Sequence, residues 1–127
     1  MNLSMLGAVA MGGALGAVAR FVLVRATTPV TASAFPTGHF LANVLGSVLI
    51  GVLFVLLAAR ADGQWLRLFL ITGVLGAFTT FSAFSLDTIT LLERGQWLIA
   101  SSYVLASVVL CIGGCALGVL VGRALIS

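Results

Sequence analysis

The sequence predicts an all-α integral membrane protein with four transmembrane helices. Two observations carry that prediction. Of 127 residues, 61% are hydrophobic and 7% are charged, and the mean hydropathy is +1.28; a water-facing domain has roughly 25% charged residues. The apolar residues also gather into four runs, at about 3–25, 38–59, 66–92 and 97–122, each long enough to cross a hydrocarbon core about 30 Å thick. Four such spans with short connections occupy the chain, so 1–127 reads as a single transmembrane domain without room for a soluble catalytic one.

The first run starts at Leu3 with no basic stretch before it, and it is too long for a secretory signal. It is rich in glycine, and Gly12 and Gly16 form a small-xxx-small pair that lets another helix approach closely. Arg20 lies near its end and Arg25 closes it. Residues 26–37 hold Pro29, Pro36 and several threonines and read as a loop or a short interfacial piece.

The second run carries one conspicuous polar residue, Asn43. Gly46, Ser47 and Ile50 follow it by three, four and seven positions and share its helix face. Arg60, Asp62 and Gly63 end this span. His39, the only histidine, reads as a polar anchor near the span's start, with a proton-coupling role as the alternative.

The third run has an unusual middle. Residues 73–85 read Gly-Val-Leu-Gly-Ala-Phe-Thr-Thr-Phe-Ser-Ala-Phe-Ser. Glycine together with Ser and Thr allows a membrane helix to break, because hydroxyls re-satisfy the freed backbone groups. The third helix is therefore expected to be broken near its middle, with Gly76 and Thr79 flanking the break. The fourth run has a polar first half, Ser101, Ser102, Tyr103 and Ser107, and a second close-packing stripe at Gly114, Gly118 and Gly122. Cys111 and Cys115 sit four apart in this apolar run and read as small packing residues, too far apart along a helix for an easy disulfide.

Six arginines and no lysine set the net charge of +3. They are dispersed, which argues against a nucleic-acid surface. With four spans, Arg60, Arg67 and Arg123 fall on one side; Arg25 and Arg94 fall on the other, with Arg20 just inside the span. Orientation follows an asymmetry of basic residues, and here there is almost none. The simplest inference is a chain that inserts in both directions and builds an antiparallel, dual-topology homodimer; one orientation set by a weak bias is the alternative.

No catalytic constellation is visible in the residues, so the chain is not expected to be an enzyme. Transport remains. The Asn43 amide can donate to an anion or, equally, bond a neighbouring helix. Phe81 and Phe84, three apart, can present positive ring edges to an anion or simply pack. Carbonyls exposed at a helix break can coordinate a small cation, or the glycines can simply kink the helix.

These residues resemble the small bacterial fluoride channels of the Fluc or CrcB family, along essentially the whole chain. The most specific match is Gly73–Ser85, similar to the family's glycine-rich Thr-Thr-Phe-Ser-x-Phe-Ser signature. Ala42-Asn43-Val44-x-Gly46 and Gly16-Ala17-Val18-Ala19-Arg20 also fit. The resemblance implies a four-span, antiparallel homodimer in the bacterial plasma (inner) membrane that lets cytoplasmic fluoride out passively. It implies a structural sodium ion at the dimer centre, held by backbone carbonyls of Gly76 and Thr79 from both subunits. It implies a fluoride pathway at Asn43, Phe81, Phe84, Thr80, Ser82, Tyr103 and Ser107, with Arg20 attracting anions at a pore mouth. The chain departs from the family pattern at Ala77, Ala83, Cys111 and His39. The first two leave a carbonyl site intact, the Cys111 thiol is a poor donor for a polar track, and His39 adds weak pH sensitivity at a pore end.

Two rivals bound this reading. A small proton-coupled multidrug exporter needs an acid inside its first span; that run has none, and Asp87 in the third is poorly placed for the task. A non-transporting membrane subunit would account for the glycine stripes but not for Asn43 and the polar break.

Overall fold

The computed structural model describes residues 2–28, 34–60 and 63–127. Four helical spans dominate it, and all four are long and apolar enough to cross a membrane. Helix α1 covers Leu3–Thr27 and α2 covers Thr37–Ala58. The third span is composite: α3 (Gln64–Arg67), a π-helical segment (Leu68–Leu75), α4 (Gly76–Phe78) and α5 (Phe81–Glu93). Helix α6 covers Trp97–Ile126. The expected loop at 26–37 is shorter at its start, since α1 runs through Thr27; its residues 29–33 lie outside the described residues, as does Asp62. The fourth span continues four residues beyond the expected end at 122.

The ends are set by local chemistry. The Asn2 side chain accepts from the Ser4 amide, 3.3 Å, and caps α1. Arg67 donates to the Leu57 carbonyl, 3.2 Å, which ties the last turn of α2 to the start of the third span. The α5–α6 turn is a glycine-terminated cap: Gly95 takes φ +72°, its amide bonds the Leu92 carbonyl and the Gln96 amide bonds the Leu91 carbonyl, both 2.9 Å. A side chain at Gly95 would be strained there.

Two glycine seams hold the spans together. Without a hydrophobic drive between helices in lipid, close van der Waals packing must supply the association. On α1, Gly12 and Gly16 are buried against the π segment, and a Cβ on either would run into the Phe69 or Val74 carbonyl. On α6, Gly118 and Gly122 are buried against α2, with Gly118 at the Val48 carbonyl and Gly122 at Val52 and Val55. Gly51 of α2 answers from its side, against the Cys115 carbonyl. The most extensive packing is accordingly α2 on α6 and α1 on the π segment. At one end of α5 and α6, Leu91, Ala100 and Tyr103 form a buried cluster with Phe35, Phe40 and Phe84 around it.

Candidate functional site: a polar interruption and its cleft

The third span is interrupted at its midpoint. Thr79 (φ −88°, ψ 153°) and Thr80 (φ −156°, ψ 123°) are extended, and helix resumes at Phe81. An interruption inside a hydrocarbon core releases backbone groups that need partners. Here the partners are specific. Asn43 clamps Thr80 at both ends: its Nδ2 donates to the Thr80 carbonyl, 3.1 Å, and its Oδ1 accepts from the Thr80 amide, 2.8 Å. The Thr80 hydroxyl accepts from the Ala83 amide, 3.2 Å, and so caps α5. The Thr79 hydroxyl donates back to the Leu75 carbonyl, 2.9 Å. Gly46 makes room for the turn, since a Cβ there would strike the Thr79 methyl.

This pattern re-routes two amides. The Thr80 amide would close an α-turn on the Gly76 carbonyl, and the Ala83 amide would close one on the Thr79 carbonyl; both are turned to side chains instead. The interruption leaves the carbonyls of residues 76–79 without their ordinary α-helical donors, those of Gly76 and Thr79 among them, and Gly76 is exposed on the chain's surface. Oxygen donors released in this way suit a small hard cation.

Beside the interruption lies an open cleft of about 370 Å³, lined by Asn43, Ser47, Thr79, Thr80, Phe81, Phe84, Ser107 and Cys111 among others. Among the described residues, no charged side chain lines it. Five of the seven pathway candidates, Asn43, Thr80, Phe81, Phe84 and Ser107, meet here. The Ser107 hydroxyl is buried and has no hydrogen-bond partner among the described residues. A buried hydroxyl without a protein acceptor, on a residue that lines the cleft, is available to a ligand. The Phe81 and Phe84 rings lie 5.3 Å apart, and Phe81 is 79% exposed.

The other candidates sit differently. Ser82 stays outside the cleft lining and hydrogen-bonds the Thr80 hydroxyl, 3.0 Å. Tyr103 is fully buried a helical turn away, and its hydroxyl donates to Asp87 Oδ2, 3.2 Å. Arg20 is half-buried on α1 and reaches neither the cleft nor, among the described residues, an ion-pair partner. Asp87 was underrated by its place in the sequence. Besides Tyr103 it receives the His39 Nδ1, 2.7 Å away. That pairing joins three spans and left no trace in local spacing. Cys111 and Cys115 are both free, and only Cys111 lines the cleft.

Residues 7–119 match the model of the family described as CrcB-like protein, Camphor Resistance (CrcB). The chain is 47% identical to a fluoride-specific ion channel FluC of Magnetococcus marinus over 116 residues, covering 91% of this chain and 94% of that protein. It is 50% identical to the protein of the same name from Paracoccus denitrificans, covering 92% and 93% of the two chains. For the one from Cereibacter sphaeroides the identity is 52%, over 84% of each chain. With a family match across nearly its whole length and relatives this similar, this four-span chain belongs to the CrcB family.

Proposed function

We propose that the chain forms a passive, fluoride-selective channel that releases cytoplasmic fluoride down its electrochemical gradient across the bacterial inner membrane. The observation that carries this reading is the uncharged cleft at the interruption, where an amide, hydroxyls and ring edges converge. Fluoride is small and strongly hydrated, so donors must replace its water along the path. Hydroxyls and an amide do so without a fixed positive charge that would hold the ion too tightly for exit. The Ser107 hydroxyl is unpartnered among the described residues, and Asn43 keeps one N–H beyond the one given to Thr80. The relatives named as fluoride-specific channels support the choice of ion.

The working unit is an antiparallel homodimer in the membrane lipid. Phe81, Ser82 and Gly76 are exposed on one chain near the midpoint of the 30-residue third span. Polar groups facing hydrocarbon at that depth are costly, and a second copy covers them. The balanced arginines permit that copy to insert the other way up. At the shared centre, the Gly76 and Thr79 carbonyls would hold a sodium ion, which supplies fixed positive potential between the pathways. Asp87, tied to His39 and Tyr103 outside the cleft, is not the free acid that a drug–proton exchanger needs.

The test is efflux from liposomes containing purified protein, loaded with potassium fluoride and read with a fluoride electrode. Fluoride leaves when a potassium ionophore is added, and chloride stays. No fluoride efflux, or equal chloride efflux, refutes the proposal.

A further inference from the structure

Two side chains from two other spans meet on the Asp87 carboxylate. His39 Nδ1 lies 2.7 Å from Asp87 Oδ2, and the Tyr103 hydroxyl donates to the same oxygen at 3.2 Å. Each of the three sits one helical turn from a residue that lines the cleft: His39 from Asn43 on α2, Asp87 from Phe84 on α5, and Tyr103 from Ser107 on α6. Residues three or four apart share a helix face, so the trio forms the next layer of the same inter-helix seam. Phe84 and Tyr103 bridge the layers, with ring centres 5.2 Å apart. Beyond them a second cavity of about 310 Å³ is lined by His39, Asp87, Arg94, Thr28, Thr37 and Phe35 among others. The His39 and Asp87 side chains are 26% and 21% exposed, so protons from water in this cavity can reach the pair.

We propose that the His39–Asp87 pair makes fluoride conduction depend on pH, fast when the imidazole is protonated and slow when it is neutral. The proposal rests on the channel reading above. An anion moving along the seam passes a carboxylate that repels it. Protonated His39 cancels that charge; neutral His39 leaves it uncancelled. Histidine is the side chain whose ordinary titration falls between about pH 5 and 8. The groups that face the pair from the packed elements are few. Tyr103 comes from α6 and Arg94 follows the end of α5, while among the described residues Val24 of α1 and Thr28 just beyond it line the cavity from that side. Tyr103 donates to the carboxylate whichever form the imidazole takes.

The experiment measures initial fluoride efflux from proteoliposomes at about pH 6 and about pH 8.5, equal on both sides, with protein-free vesicles subtracted for leak of the neutral acid. Wild-type flux falls on the order of tenfold toward alkaline pH, the effect of one uncancelled charge beside an anion path. His39→Gln, which keeps a hydrogen-bonding side chain without a titratable charge, conducts at one slow rate at both pH values. Asp87→Asn loses the pH dependence and conducts faster than wild type at alkaline pH. The single histidine also allows its ring resonances to be followed without assignment in labelled protein, and they move between the two pH values. Wild-type flux that ignores pH overturns the proposal alone, as does a slope that persists in His39→Gln or ring resonances that stay fixed. Absence of flux at every pH overturns it together with the channel reading.

Discussion

Replacing Asn43 with alanine tests whether the interruption of the third span is held open from α2. The substitution removes both hydrogen bonds to Thr80, at 3.1 and 2.8 Å, and leaves a backbone amide and carbonyl without partners at mid-membrane depth. Interhelical hydrogen bonds in membrane proteins are worth about 0.6 kcal/mol each and reach about 1.7. The pair therefore contributes about 1–3 kcal/mol. Relief is available: the Thr80 amide can swing back to the Gly76 carbonyl and close the α-turn. That relaxation also consumes one of the two carbonyls proposed to hold sodium. Asn43→Ala is thus expected to lower stability by about 1–3 kcal/mol and to abolish most fluoride flux even in protein that remains folded. Stability is read from denaturant unfolding in micelles by tryptophan fluorescence, and flux from ionophore-triggered efflux. Asn43→Asp keeps the acceptor for the Thr80 amide but loses the donor to its carbonyl, and should fall between wild type and alanine in stability. An alanine variant that matches wild type in both stability and flux would refute the argument that this clamp holds the interruption.

Other expectations follow from the same geometry. Phe81→Ile and Phe84→Ile each remove a ring edge worth about 1 kcal/mol, so flux falls several-fold while size-exclusion chromatography still reports a dimer; unchanged flux in both takes the rings out of the mechanism. Replacing sodium with a large organic cation removes a ligand bound only to the assembled state, so the thermal midpoint falls and recovers on adding sodium back; a midpoint that ignores sodium speaks against the carbonyl site. Cys111 lines the cleft and Cys115 does not, so a small methanethiosulfonate reagent blocks most flux in wild type and in Cys115→Ser but not in Cys111→Ser. Block that survives Cys111→Ser places the cleft off the path.

Much of the architecture was legible along the chain because its signals are local. Runs of apolar residues mark spans through length and hydropathy alone. The pairs Gly12/Gly16 and Gly118/Gly122 stand at helical repeats, and each packs a carbonyl-bearing backbone against itself as small residues do. The face shared by Asn43, Gly46, Ser47 and Ile50 is a consequence of helical period, and all four line the cleft. The glycines and hydroxyls of 73–85 mark where a helix tolerates interruption.

Sequence by itself determined that this chain lives in lipid, crosses it four times, and keeps its few polar groups within the third span and the faces beside it. Only the tertiary structure decided which of those groups are already engaged. Asn43 meets Thr80 across 37 positions, and Asp87 gathers His39 and Tyr103 from two other spans. Such pairings depend on the rotation and axial offset of each helix against its neighbours. Those offsets are set where glycine backbones touch carbonyls, a contact between distant segments that no local pattern encodes. For the same reason Tyr103, polar and well spaced on α6, turns its hydroxyl to a carboxylate instead of the cleft, while Ser107 one turn on keeps its own hydroxyl unclaimed.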